Sequence, residues 1–270
     1  MLLGTCKMCL QERELLRSHL IPRAVHEYTT AGGHEPITLR KGVLMSGNVQ
    51  LQDYLLCLEC EQILNDGGED WTVDKLATHE GQFPLYDLVT ANEADRSFDT
   101  TRVYFMVDRP EVPFEKLVHF GMGMFFKAAV HPWEGGEIDP RIELGPYAES
   151  LRRWLRGNAG FPKHVCLVIQ LAPRERAHAG LFYPYEAERH VFYVYTSGLL
   201  FMLHVGKTMN PGAAVLCAWN RPEHPILISE LLVEKFQDTA REEFLEARQT
   251  QSFLRVMDKI AKERGEKFNG

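Results

Sequence analysis

The chain has 270 residues, of which 45% are hydrophobic and 25% charged, and its formal net charge is −7. That composition excludes a disordered, collagen-like or coiled-coil chain and leaves apolar material for one good core and a second, smaller one. The negative balance argues against general nucleic-acid binding, which rests on neutralising phosphates, although a local basic face or a bound cation can reverse the sign locally.

Residues 1–95 are loop-rich. Within them Val43–Met45 and Leu51–Leu56 read as short strands, and Leu58–Asn65 as a short helix stopped by Gly67-Gly68. Trp71–Ala77 reads as resumed helix, and the polar stretch Thr90–Thr101 as a connection. From Arg102 the pattern changes. Arg102–Val107 reads as a strand and Pro113–Val130 as a largely buried helix with Leu117, Phe120, Met124 and Ala128 on one stripe. Tyr147–Leu155 is a short amphipathic helix opening after Gly145-Pro146. Strands are expected at His164–Leu171, Val191–Thr196, Leu199–Val205 and Ala213–Trp219, with Ser197-Gly198 as a hairpin turn. A long helix from near Ser229 to Arg264 closes the chain, with Phe236, Ala240, Phe244, Ala247, Leu254, Met257 and Ala261 on one face. The expectation is an α+β fold in two units. Residues 1–95 form a cysteine-bearing module, and residues 96–270 a mixed, mainly antiparallel sheet with helices.

No stretch is long and apolar enough to span a membrane, and the start Met1-Leu2-Leu3-Gly4 is too short for the apolar region of a signal peptide. A cytoplasmic protein is expected, with its six cysteines reduced unless they hold metal. Cys6 and Cys9 form one C-x-x-C pair, and Cys57 and Cys60 a second. Such a turn aims two thiolates at one ion, and two turns complete a tetrahedral zinc site. A redox pair is the alternative, along with two unrelated pairs. The redox reading suffers because neither pair follows an apolar strand and opens a clear long helix. Cys166 and Cys217 lie in apolar, strand-like runs and read as small buried hydrophobes.

Between the cysteine pairs lies Ser18-His19-Leu20-Ile21-Pro22. The order C-x-x-C, then His in a Ser-His-Leu-Ile-Pro run, then Leu-Cys-x-x-Cys followed by a polar residue resembles the HNH endonuclease superfamily over about residues 4–75. The resemblance implies a zinc-bound treble-clef, or ββα-metal, module. Its implied parts are a structural zinc on Cys6, Cys9, Cys57 and Cys60, His19 as general base, and a helix after the second pair that offers a ligand to a catalytic ion. A neutral imidazole would take a proton from attacking water while a divalent ion neutralises charge at phosphorus. This sequence departs from the pattern at three places. Ser18 stands where many members carry a ligating Asp, Glu61 where many carry a ligating His, and Gln52 near the middle Asn. Glu61 suits Mg²⁺ or Mn²⁺, and Ser18 is a weak ligand. Asp66, Glu69 and Asp70 are spare carboxylates.

The remaining histidines read as ordinary packed or surface residues. Gly121-Met122-Gly123-Met124 reads as close helix packing, and Arg152, Arg153 and Arg156 near Trp154 as a solvated helix face or, alternatively, a phosphate contact. No nucleotide-binding loop or nucleophile elbow is present in the sequence. Three readings stay open: an HNH-like metal-dependent nuclease acting on DNA or RNA, a catalytically degenerate zinc module that binds nucleic acid or a protein partner, or a function residing wholly in the C-terminal unit with zinc only stabilising the chain. The altered Ser18 and Glu61 and the net charge of −7 favour the second. An open space between His19 and Glu61 would favour the first, and a side chain filling it the second. The oligomeric state is not encoded in any of these motifs.

Overall fold

Among the described residues, three β-sheets and a set of helices make up the computed structural model. It describes every residue except 1, 31–36, 41–42, 48–49, 79, 134–140, 178–179, 210, 231–237, 239–241, 243–244, 264 and 266–270. The fold is α+β, with both mixed and antiparallel sheets.

The first sheet holds the cysteine module. Strand β1 (Leu2–Thr5) pairs antiparallel with β2 (Glu12–His19), and β2 pairs antiparallel with β5 (Gln52–Cys57). Between β2 and β5 the chain makes helix α1 (Arg23–Thr30) and strands β3 (Ile37–Arg40) and β4 (Val43–Ser46). Alternation along β2 turns Leu15 inward, and a bulge after Leu16 shifts the phase so that Ser18, three residues on, is buried as well. Its last residues face β5 as Ser18 opposite Asp53 and His19 opposite Gln52.

Helix α2 (Leu58–Leu64) starts at Cys57 and does not stop at the glycine pair. It continues as a π-helical turn over Asn65–Glu69 and as helix α3 (Asp70–Val73). The expected glycine stop is therefore corrected, and packing gives the reason. A Cβ at Gly68 would lie 2.2 Å from the Lys116 carbonyl oxygen, and one at Gly67 would lie 2.3 Å from the His119 ring. The two glycines let this turn approach helix α5 (Phe114–Val130), and neither takes a left-handed conformation. Helix α4 (Pro84–Val89) follows, with proline in its first turn.

The large sheet has seven strands: β6 (Arg96–Phe98), β7 (Thr101–Phe105), β8 (Val165–Leu171), β9 (Leu181–Glu188), β10 (Val191–Thr196), β11 (Leu199–Val205) and β12 (Pro225–Ser229). Their order is β6-β7-β12-β8-β11-β10-β9, parallel only between β12 and β8. Hairpin β10–β11 turns at Ser197-Gly198 as expected, with Thr196 opposite Leu199. Helix α5 is buried along most of its length and meets this sheet at Gly121, where any Cβ would strike the Phe201 ring. Helix α6 (Tyr147–Leu155) packs its Leu151 and Trp154 face inward. A continuous hydrophobic core runs from Cys6 and Leu15 through α5 to Val165 and Ile228.

Two expectations fail in the C-terminal third. Ala213–Trp219 is not a strand: Pro211–Val215 forms a five-residue helix, α7, and the chain then runs beside β8. Proline and glycine at the start of that run favour a helical turn over a ladder. Nor does one helix run from Ser229 to Arg264. Ser229 ends β12, Arg248–Gln249 forms strand β13 parallel to β4, and the last helix spans Gln251–Glu263. Phe236, Ala240 and Phe244 of the expected stripe lie outside the described residues. Among the described residues no helix is long and apolar enough to cross a membrane.

Candidate metal centre and the adjoining polar cluster

The Cys6, Cys9, Cys57 and Cys60 sulfurs all lie within 4.8 Å of one another. Local hydrogen bonding builds each half of the group. In the first turn the Leu10 amide donates to the Cys6 carbonyl at 2.9 Å, with Leu10 left-handed at φ 61°. In the second, Cys57 caps α2, and its own amide donates to the Cys6 sulfur at 3.4 Å. Cys9 and Cys57 sulfurs are 3.9 Å apart. A hydrogen bond from the Cys60 thiol, helped by backbone N–H groups of Cys9, Cys57 and Met8, pulls the Cys6 thiol down to about 4 despite its burial. Such a set of four converging sulfurs can hold a metal ion such as zinc, and four thiolates match the closed tetrahedral type. Arg152 of α6 braces it: its guanidinium donates to the Met8 carbonyl at 2.6 Å and to Glu149 at 2.6 Å. The charge of that guanidinium faces Cys9 and Cys60. The Arg152 side of α6 is thus neither a solvated face nor free to meet a phosphate.

His19 ends β2 and is half-buried. Its Nε2 lies 3.1 Å from Gln50 Oε1, so the ring's partner is Gln50 and not the facing Gln52. Burial lowers its pKa first, and the charges of Lys127, Arg23 and Arg17 add to this against the opposing Gln50 bond. The neutral form of the imidazole is thereby favoured. Ser18 is fully buried, and its oxygen accepts the Leu56 amide at 3.2 Å while its hydroxyl reaches Glu61. Glu61, on the turn of α2 after Cys60, has a buried Oε1 with no hydrogen-bond partner. Burial pushes its carboxyl up, opposed by Lys127 and Ser18.

The cation in this cluster is Lys127, which motif reading missed. It is 1% exposed on α5, and its Nζ donates to Glu69 Oε1 at 2.9 Å. Of the three spare carboxylates only Glu69 is drawn in. Asp66 accepts from Gln62, and Asp70 is exposed. A second unread pair sits alongside: His131, at the end of α5, lies 2.9 Å from Asp53 Oδ2, and Asp53 faces Ser18 across the sheet. Although burial alone would raise it, hydrogen bonds from His131 and the Tyr54 amide hold the Asp53 carboxyl below its ordinary value.

The donors around Glu61 do not suit Mg²⁺ or Mn²⁺. A hard cation of this kind collects about six oxygens. Here Ser18 already bonds Leu56 and Glu61, Glu69 is tied to Lys127, and a buried ammonium brings positive charge. Among the described residues the four cysteines are the single group of three or more His, Cys, Asp or Glu side chains whose ligand atoms converge. No protein-family model, curated protein or solved structure matches the chain.

Proposed function

We propose that residues 4–75 are a catalytically degenerate, HNH-like zinc module of the treble-clef type, and that it serves as a binding platform for a protein partner. One observation carries this reading: the buried Lys127 ammonium, paired with Glu69, supplies the positive charge beside Ser18 and Glu61 that a divalent ion would otherwise bring. The preference for a protein over nucleic acid rests on the surface. Leu2, Leu3, Leu10 and Leu58 are 49–69% exposed and all belong to the cysteine module, whereas the chain as a whole is negative.

A second reading, a metal-dependent nuclease, is favoured by His19 alone. A half-buried imidazole whose neutral form is favoured is what a general base requires. There His19 would accept the proton of water, and Glu61 would help to hold Mg²⁺ or Mn²⁺.

The two readings separate in one set of measurements. The zinc-loaded protein is incubated with plasmid, single-stranded DNA and RNA in Mg²⁺ or Mn²⁺, and binding of the same nucleic acids is followed by fluorescence anisotropy. Neither cleavage nor salt-sensitive binding is expected. A photo-crosslinking amino acid placed at Leu58 should capture a defined protein in cells, whereas one at exposed Val215 should not. Cleavage that His19→Ala abolishes would establish the nuclease, and tight nucleic-acid binding, or no capture from Leu58, would sink the protein-partner reading.

A further inference from the structure

The seven-stranded sheet contains a second sulfur pair, remote in sequence from the zinc-type cysteines. Strand β12 reaches β8 only from Ile169 onward. The earlier half of β8 is flanked instead by the segment after α7. The Ala218 amide donates to the Leu167 carbonyl at 2.8 Å, and the Asn220 side-chain amide to the Val165 carbonyl at 3.3 Å. Cys217 and Cys166 thereby fall in one buried cluster with Val168 and Leu227. Both are buried, at 1% and 0% exposure. Cys166 Sγ is 3.2 Å from the Ala213 carbonyl oxygen and within hydrogen-bonding reach of the Cys217 sulfur. Backbone N–H groups of Trp219 and Asn220 also point at the Cys217 sulfur.

The two thiols are not equivalent. The Cys166 hydrogen bond, followed by the backbone donors, brings the Cys217 thiol down to about 6 against the effect of burial. The same contact, with burial, pushes Cys166 up. These hydrogen bonds favour the thiolate form at Cys217 and the protonated form at Cys166, whose sulfur also faces the Ala213 carbonyl. The surroundings are apolar: Val168, Leu227, Met202, Met209, Ala213 and Leu216. An anionic bis-thiolate metal complex is costly in such a place, whereas a disulfide is neutral.

We propose that Cys166 and Cys217 are a peroxide-oxidisable dithiol that closes to an internal disulfide. The Cys217 thiolate attacks one oxygen of hydrogen peroxide. The O–O bond breaks, hydroxide leaves and becomes water with the proton that Cys217 had released, and Cys217 is a sulfenic acid. The Cys166 sulfur then attacks the Cys217 sulfur. The S–O bond breaks, and the departing hydroxide takes the Cys166 proton as a second water. Two thiols lose two electrons in all, and peroxide gains them. The five-residue helix α7, most of whose residues are exposed, covers the pair with its Ala213 carbonyl on Cys166.

The test uses the full, zinc-loaded chain. Under dilute hydrogen peroxide, non-reducing peptide mapping should show a Cys166–Cys217 cross-link, while a chromophoric chelator detects no released zinc. In Cys166→Ala, Cys217 should accumulate as a sulfenic acid trapped by dimedone. In Cys217→Ala, Cys166 should stay a thiol and oxidise roughly tenfold or more slowly, because the thiolate is the reactive form. Circular dichroism of both variants confirms that they fold. Three results overturn the proposal: no cross-link when both thiols survive the dose, zinc release before any cross-link, or equal oxidation of the two single variants.

Discussion

Two polar clusters sit side by side at the start of α2, and they have opposite relations to a cation. The four cysteines offer only sulfur donors, and Arg152 approaches them from outside through the Met8 carbonyl. The Glu61 cluster holds its own cation, the Lys127 ammonium, brought by a helix far along the chain. Ligand-type residues at family-like spacings therefore do not by themselves make a metal site. What decides is the charge that the rest of the fold delivers to them.

The sharpest way to break the contrast is to remove a sulfur. The native protein should carry about one zinc per chain by elemental analysis. Cys57→Ser or Cys60→Ser should remove it and unfold at least the cysteine module, since structural zinc binding contributes on the order of 10 kcal/mol to folding. A folded, metal-free native protein would end the comparison. Next in size is the built-in cation. Lys127→Met leaves Glu69 buried without its partner and should cost about 3–5 kcal/mol in urea unfolding. The double change Lys127→Met with Glu69→Gln should recover most of that, and a double variant as unstable as the single one would remove the ion pair from the account.

Arg152→Ala should weaken zinc binding roughly 10–100-fold, the usual weight of a group behind the ligands, as read by chelator competition. Unchanged affinity would reduce Arg152 to a packing role. Gly68→Ala, which drives a methyl group into the Lys116 carbonyl, should destabilise by about 1–3 kcal/mol while leaving the four cysteines in place. The smallest effect is on pH. Burial holds His19, His119 and His204 below the ordinary histidine value. As pH falls, the unfolded chain takes up these protons first. The stability they contribute is therefore full above about pH 6.5 and is lost as pH drops below it. His119→Gln should flatten this slope in urea titrations that also verify zinc retention, and an unchanged slope would assign the pH dependence elsewhere.

Much of the fold was legible where the pattern is local. The apolar stripe of α5, the amphipathic α6 and the hairpin β10–β11 stand where periodicity and turn residues place them. Failures came where tertiary packing overrode a local cue. Gly67-Gly68 reads as a stop, but it is the notch that admits α5. The stripe from Phe236 to Ala261 reads as one helix, but the chain pairs with β4 at Arg248–Gln249. The same division runs through the site. C-x-x-C spacing exposes the cysteine group directly, because each turn is local. Gln50, Lys127, Arg152 and the meeting of Cys166 with Cys217 depend on contacts between distant segments, and no spacing rule announces them. The His131–Asp53 pair is of the same kind. The sole hint for Lys127 was a charge inside the apolar second half of α5.

The place of β12 in the large sheet bears on how the protein is made. This strand, Pro225–Ser229, lies between β7 and β8, both of which leave the ribosome well before it. Until it emerges, the nascent chain holds two open β-edges facing a gap, each able to recruit a strand from another molecule. Premature termination anywhere upstream of Pro225 leaves that gap unfilled for good. Truncated translation products should then be aggregation-prone chaperone clients, even when their cysteine module and α5 are complete.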